Sequence, residues 1–135
     1  MKSKEKIRIC VDIDGVLSGL SGNWNGITEY NNVIPGSIKF LQELHKNNYI
    51  IIFSCRGHAE LNTGYSVKQL YALMEIWLTS NGLEYDEIFV GQGKPIASFY
   101  VDDRAIVCKP EEDSKAFDKA LDIIKKSLPE YLIDN

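Results

Sequence analysis

The sequence lacks the features that mark membrane, secreted and repeat proteins. Its 135 residues contain no apolar run approaching the roughly 18 residues of a membrane helix. The N-terminus has lysines, but no uncharged apolar stretch precedes Arg8 and Asp12, so we expect no signal peptide. Internal repeats and low-complexity tracts are also missing. At this length and with 44% apolar residues, we predict one soluble domain covering residues 1–135.

Cysteine and histidine are scarce. The three cysteines, Cys10, Cys55 and Cys108, are odd in number, and Cys10 lies in an apolar segment. This usage favours free thiols in a reducing cytoplasm over a disulfide framework. No cysteine pair has C-x-x-C spacing, and His45 and His58 stand alone, so a zinc site is not predicted. A G-x-S-x-G elbow and a P-loop are absent as well.

An excess of positive charge is also missing. The formal net charge is −4, which argues against non-specific binding to nucleic acid or to an anionic membrane. We therefore predict neither nucleic acid nor a membrane as a partner. The charge does not exclude a phosphorylated small molecule held by a few local cations.

The rest of the chain is organised around residues 7–17. Ile7, Ile9 and Val11 are β-branched and predict a short buried strand that ends at Asp12. Asp14 and Gly15 then mark the turn into a loop. Two carboxylates separated by one residue thus stand where a central strand opens, which is where ligands bind in open α/β sheets. An ordinary Asp-Gly turn explains this tripeptide equally well, so the other segments must decide.

Apolar runs and helical stripes predict the order β-loop-α-β-α-β-β-α. The predicted strands are residues 7–12, 49–53, 86–91 and 98–101, and the predicted helices run from Pro35-Gly36 to Asn47-Asn48, from an N-cap at Ser66 to Asn81-Gly82, and from Asp113 or Ser114 to Pro129. Short buried strands alternating with helices predict an α/β fold: a three-layer, doubly wound, Rossmann-like, mainly parallel sheet. Residues 18–34 are predicted to form a loop or small hairpin. The last helix has an apolar stripe that we expect to be buried: Phe117, Leu121, Ile124 and Leu128.

Polar residues follow the predicted strands in a consistent way. Asp12, Asp14, Ser54, Lys94 and Asp102 each come after a strand, so a parallel sheet would gather them at one edge. Carboxylate oxygens are ligands that suit Mg²⁺, which completes its shell with water and phosphate. With the other nucleophile systems missing, the chemistry that remains is phosphoryl transfer to an Asp through an aspartyl-phosphate.

Four segments in this order resemble the motifs of the haloacid dehalogenase-like (HAD) superfamily of phosphohydrolases. They are Asp12-Ile13-Asp14-Gly15-Val16, Ser54 after an apolar strand, Lys94-Pro95, and Asp102-Asp103 after Phe99-Tyr100-Val101. Residues 93–105 further resemble small, cap-less members associated with capsular polysaccharide biosynthesis. Those members commonly carry an acidic residue where this chain has Ser98. The resemblance implies a Mg²⁺-dependent phosphomonoesterase, and we expect a sugar phosphate as its substrate.

The resemblance also implies catalytic roles. Asp12 would be the nucleophile, Asp14 the general acid and base, and Lys94 the cation that holds the nucleophile and the phosphate together. The phosphate-binding residues would be Ser54, Cys55, Gly15 and Arg56. The metal ligands would be Asp12, Asp14 through its carbonyl, Asp102 and Asp103. Trp24, Arg56, His58 and Arg104 are further candidates for contact with the leaving group.

Residues 18–34 and 57–93 leave no room for a cap domain beyond what the core needs. We therefore expect an open site, suited to a large substrate or to a small one enclosed by a neighbouring subunit of a homo-oligomer. Two other functions remain open. One is an inactive or regulatory phosphate-ligand-binding protein on the same fold. The other is a response-regulator receiver, which the position of Asp102-Asp103 on the last strand, after Lys94, disfavours.

Overall fold

The computed structural model describes residues 6–19, 30–57, 64–90 and 93–128 of the chain. The strands are β1 (Ile7–Val11), β2 (Asn48–Phe53), β3 (Glu87–Phe89) and β4 (Phe99–Val101). The helices are α1 (Ser37–His45), α2 (Val67–Ser80) and α3 (Ala116–Ser127), and a single 3₁₀ turn, Cys55–Gly57, follows β2. The pairings among these four strands are parallel, and the strand order is β3-β2-β1-β4. The predicted α/β class with a parallel sheet is confirmed.

The register of the central strands explains their apolar sequences. Ile9 pairs with Ile50 and Val11 with Ile52, and these four side chains are almost completely buried on one face of the sheet. Cys10 pairs with Ile51 on the opposite face, where both are also buried. A strand that is buried on both faces has no solvent-facing positions for polar residues, so its sequence is a continuous apolar run.

Helices α1 and α2 cover the face that carries Ile9 and Val11. Leu41 of α1 and Met74 and Leu78 of α2 are fully buried in one cluster with the strand residues of that face. Both crossovers, β1 to β2 and β2 to β3, step in the same direction along the sheet, and right-handed connections then place both helices on the same side.

The ends of the helices follow from local hydrogen bonds. Ser66 caps α2 as predicted: its hydroxyl accepts from the N–H of Gln69 at 3.1 Å, and the Gln69 side chain accepts from the N–H of Ser66 at 2.8 Å. At the end of α1 the prediction is slightly wrong, because Asn48 already belongs to β2. Its side chain donates to the carbonyl of Leu44 at 2.9 Å, so one residue closes the helix and begins the strand.

The segment after β1 forms the base of a hairpin. Ser18 bridges to Val33 in antiparallel fashion, and the N–H of Gly19 donates to the carbonyl of Asn32 at 2.9 Å. This pairing is compatible with the loop or small hairpin predicted for residues 18–34, of which residues 20–29 lie outside the described residues. Between β1 and β3, the described residues form this hairpin base, α1, β2, the 3₁₀ turn and α2, and none of them forms a cap domain.

The chain divides into two compact units, Met1–Asp103 and Arg104–Asn135. The first contains the sheet, α1 and α2. The second contains α3, which begins at Ala116, slightly later than predicted, and whose apolar stripe is exposed rather than buried: Phe117 is 68% exposed and Leu121 49%. A helical stripe identifies an apolar face but does not specify what covers it. Pro129, the predicted end of this helix, lies outside the described residues. None of the described helices is both long and apolar enough to cross a membrane.

Candidate active site

Three carboxylates meet at the C-terminal edge of the sheet. The ladder between β1 and β4 continues past Val11, where the N–H of Asp12 donates to the carbonyl of Val101 at 3.0 Å. Asp12 and Asp102 therefore follow adjacent strands side by side. One oxygen from each of Asp12, Asp102 and Asp103 lies within 4.8 Å of the others. This convergence of hard oxygen donors, partly open to solvent, fits a Mg²⁺ ion completed by water and phosphate.

Asp12 occupies the least favourable position for a negative charge in this group. Burial and then the charge of Asp102 raise the pKa of Asp12 to about 7. The N–H of Ile13, which donates to Asp12 Oδ1 at 2.9 Å, opposes the rise. That hydrogen bond orients the Asp12 carboxylate through Oδ1, and the Ile13 amide does not bind Oδ2. A cation among these three residues would relieve their mutual repulsion.

Asp14 does not point into this group but is held by Arg56. Arg56 Nε donates to Asp14 Oδ2 and Arg56 Nη2 to Asp14 Oδ1, both at 2.9 Å. The Arg56 side chain is only 2% exposed, and Asp14 is 14% exposed. The structure shows the Arg56 guanidinium supporting this carboxylate. Its predicted contact with phosphate or with the leaving group stays a prediction.

Two aromatic residues that sequence reasoning did not assign to the site support Arg56. Its Cζ lies 4.1 Å from the centroid of the Tyr30 ring, and Tyr30 stacks on Trp77 with centroids 5.2 Å apart and planes at 17°. Tyr30 stands at the return of the hairpin, and Trp77 lies within the apolar stripe of α2. No local pattern could have linked them to Asp14, because Tyr30 was predicted to lie in a loop or hairpin and Trp77 in the apolar core.

Ser54 and Cys55 lie at the end of β2, as predicted. Ser54 is 3% exposed, and its Oγ accepts from the N–H of Arg56 at 3.1 Å. A hydroxyl that accepts one bond still has its own proton to donate, so Ser54 can serve a phosphoryl oxygen. Cys55 begins the 3₁₀ turn and is exposed.

Lys94 and Gly15 make contacts other than those of their predicted roles, which stay predictions. Lys94 Nζ lies 4.3 Å from the centroid of the Tyr100 ring, and within the described residues no ion pair joins it to Asp12. Tyr100 pairs with Cys10, two residues before Asp12, so Lys94 is on the same side of the sheet as Asp12. The N–H of Gly15 donates to the carbonyl of Ser18 at 2.9 Å.

Three further residues were predicted to contact the leaving group: Trp24, His58 and Arg104. Trp24 and His58 lie outside the described residues. Arg104 is exposed and begins the second unit. Their contact with a leaving group stays a prediction.

Comparisons with known proteins support the fold. No family model and no curated protein matches the chain. A solved structure from Vibrio cholerae, which carries no functional name, is 28% identical and has a TM-score of 0.50 over 84% of this chain and 98% of its own. It shares the α/β architecture.

Two D,D-heptose 1,7-bisphosphate phosphatases are more distant. The protein from Burkholderia thailandensis is 18% identical, with a TM-score of 0.39 over 62% of this chain and 52% of its own. The protein from B. bronchiseptica, solved with magnesium and phosphate, is 22% identical, with a TM-score of 0.45 over 86% of this chain and 64% of its own. At such scores, neither likeness carries a conclusion about the activity of this chain.

Proposed function

We propose that this protein is a Mg²⁺-dependent phosphomonoesterase of the HAD-like kind that acts through an aspartyl-phosphate. The observation that carries the proposal is the grouping of Asp12, Asp102 and Asp103 at the edge of a parallel sheet, with Asp14 two residues from the nucleophile. A bound Mg²⁺ would neutralise charge on the phosphoryl group during transfer. The narrower resemblance to capsular polysaccharide phosphatases remains a prediction.

The first half-reaction uses Asp12 and Asp14. An Asp12 oxygen attacks phosphorus, the new O–P bond forms, and the bond from phosphorus to the leaving oxygen breaks. The leaving oxygen takes a proton from the Asp14 carboxyl group, which becomes a carboxylate. Asp12 is well placed as the nucleophile because the β1 ladder fixes its backbone and the N–H of Ile13 orients its side chain.

The second half-reaction returns the enzyme to its starting state. Asp14 takes a proton from water, the hydroxide oxygen attacks phosphorus, and the O–P bond to Asp12 breaks to release phosphate. Ser54 donates its hydroxyl proton to a phosphoryl oxygen in both halves. Lys94 contributes positive charge from the Tyr100 side of the site, a role that requires its side chain to leave the Tyr100 ring.

The substrate proposed is a sugar phosphate in the cytoplasm. Its phosphoryl group would bind at the carboxylate edge, where Asp102 and Asp103 are exposed, and its leaving group would extend into solvent. A large substrate, or a small one enclosed by a second subunit, fits such an edge.

The test is a panel of phosphate esters, including an aryl phosphate and several sugar phosphates, assayed with Mg²⁺ for the wild type and Asp12→Asn. We expect the wild type to release phosphate from at least one ester. Asp12→Asn, nearly isosteric but unable to attack, should be inactive while keeping the wild-type circular dichroism spectrum. Glu75→Gln, which removes an exposed carboxylate from α2, is the matched control and should be fully active.

The same panel separates the alternatives. A protein that binds phosphorylated ligands without turning them over would show saturable binding and no release of phosphate. A receiver would keep a stable phosphoryl group after incubation with acetyl phosphate. Either result would overturn the proposed hydrolase.

A further inference from the structure

Both oxygens of the Asp14 carboxylate accept hydrogen bonds from one buried arginine side chain. Arg56 binds both of its oxygens at 2.9 Å through a side-on pair of N–H donors, and the guanidinium is buried. A bidentate pair of this kind fixes the plane and the rotation of the carboxylate as well as its position. An ionised carboxylate offers about four lone-pair sites. Two are taken by Arg56, so each oxygen retains a site for a proton or a hydrogen-bond donor.

The guanidinium is in turn fixed by an aromatic column, which we define as Tyr30 and Trp77. Arg56 lies over the Tyr30 ring, and Tyr30 stacks almost parallel on Trp77. Among the described residues, the buried hydroxyl of Tyr30 has no hydrogen-bond partner. The contribution of Tyr30 here is therefore made by its ring. Trp77 packs against the core from α2, so the column connects Asp14 to a rigid helix.

We propose that Arg56, Tyr30 and Trp77 are positioning residues that hold the Asp14 carboxyl group in line for proton transfer with the leaving group and with water. This inference rests on the proposed hydrolase function, since it concerns the orientation of its general acid and base. Neither Tyr30 nor Trp77 needs to touch the substrate. Their effect would pass through the Arg56 guanidinium. The Tyr30 ring would orient the guanidinium, and the N–H groups of the guanidinium would orient the Asp14 carboxylate.

A purely structural role is the competing explanation. The column also joins the hairpin return to α2, and loss of either ring would loosen that packing. The two roles differ in how they depend on the leaving group. Help from a general acid matters most for a poor leaving group such as a sugar alkoxide, and little for an aryl oxide that departs without a proton. General loosening of the fold lowers turnover of both substrates equally.

The experiment compares kcat/KM for an aryl phosphate with kcat/KM for the best sugar phosphate of the panel. The variants are Asp14→Asn, Arg56→Lys, Tyr30→Leu and Trp77→Leu. Tyr30→Phe, which keeps the ring, is the conservative control. Tyr71→Leu removes an aromatic side chain of α2 that packs against the same core outside the column, and it controls for lost packing.

A positioning role predicts a specific pattern. Asp14→Asn should lose about 10²–10⁴-fold on the sugar phosphate and far less on the aryl phosphate. Tyr30→Leu and Trp77→Leu should lose roughly 10–100-fold on the sugar phosphate, because a small misplacement of a catalytic group is costly. Tyr30→Phe should match the wild type, and Tyr71→Leu should change both substrates by the same factor. In the Asp14→Asn background, Tyr30→Leu should cause no further selective loss.

Other results overturn the inference. If the column variants lose the same factor on both substrates, or if their selective loss persists in the Asp14→Asn background, the column is structural only and the hydrolase function stands. Should Arg56→Lys fail to fold, Trp77→Leu, which leaves the pair of Arg56 and Asp14 in place, still decides between the two roles. If the wild type hydrolyses no ester of the panel, both the function and this inference fall.

Discussion

The carboxylate of Asp103 lies where a side chain on Gly15 would have to be. A Cβ built on Gly15 would come within 2.2 Å of Asp103 Oδ2, and Gly15 has a φ of +84°. The missing side chain thus allows the loop after β1 and the residues after β4 to approach each other. This approach brings Asp103 to the other two carboxylates, and it gives the first prediction.

Gly15→Ala should displace Asp103 and weaken Mg²⁺ binding. The added methyl group pushes the carboxylate away, and the positive φ strains the loop by about 1 kcal/mol or more. Gly36→Ala is the matched control, since Gly36 has a φ of +94° with nothing near its Cβ position. Both variants should lose stability in urea denaturation, but only Gly15→Ala should raise the Mg²⁺ concentration needed for half-maximal activity. An equal Mg²⁺ dependence in the two variants would contradict the assignment of Asp103.

Removal of the metal should abolish activity. Treatment with EDTA should stop phosphate release and added Mg²⁺ should restore it, because three converging carboxylates need a cation to accept a phosphoryl group. Asp102→Asn should weaken Mg²⁺ binding in calorimetry by at least about tenfold. The exposed Glu75→Gln should not change it. Full activity after exhaustive chelation would exclude the metal-dependent mechanism.

At pH 7, Tyr30→Phe should have a free energy of unfolding that equals that of the wild type or exceeds it by up to about 1 kcal/mol. The reason is that it removes a buried hydroxyl that has no partner among the described residues. The difference should grow at alkaline pH. Burial raises the pKa of Tyr30 to about 12, while unfolded tyrosine titrates near its ordinary value of about 10. The native state then holds this proton more tightly, so stability due to Tyr30 is present below pH 10 and is lost as pH rises toward 12.

Thermal unfolding of the two proteins between pH 8 and pH 11 measures this difference. The other tyrosines are common to both and cancel in the comparison. An alkaline loss of stability that is larger in Tyr30→Phe than in the wild type would show that the sign is wrong.

Thiol labelling should distinguish the three cysteines. Cys55 and Cys108 are exposed and should react with a maleimide in the native protein. Cys10 is 2% exposed and burial raises the pKa of its thiol to about 11, so it should react only after unfolding. Phosphate with Mg²⁺ should protect Cys55, which follows Ser54, and leave Cys108 unprotected. Mass spectrometry of the labelled peptides measures each site. Labelling of native Cys10 at the rate of Cys108 would refute the burial of β1.

Ser66→Ala should reduce stability by about 1 kcal/mol through loss of the capping box. Ser66→Asp, which can cap in the same way, should retain most of it. The midpoint of urea unfolding measures the change, and kcat should be unaltered in both variants because the Ser66 side chain bonds within α2 and not to the carboxylates. Equal stability of Ser66→Ala and the wild type would mean that the cap is not needed in the packed helix.

Prediction from the sequence succeeded for elements whose signals are short-range. The Ser66 cap, the apolar runs of β1 and β2 and the carboxylates that follow β1 and β4 all appear where they were expected. The stripe of α3 was correctly seen as one helical face, but its burial was not, since burial depends on what another part of the chain places against it.

The site was only partly predictable for the same reason. The grouping of Asp12 and Asp102 follows from parallel pairing alone, because carboxyl ends of parallel strands share an edge. The position of Lys94 over Tyr100 instead depends on the path of the connection between β3 and β4. The strand order alone therefore does not determine whether Lys94 contacts Asp12, and that contact stays a prediction.

The sequence by itself determined the strands, the capped helix and the edge at which the acidic residues gather, because periodicity, caps and turns act within a few residues. Only the tertiary structure decided that Arg56 supports Asp14 across 42 residues of sequence, and that Tyr30 and Trp77 stand behind it. Such contacts depend on how the hairpin and α2 pack on the sheet. An arginine after a strand looks the same in sequence whether it faces a substrate or a buried carboxylate.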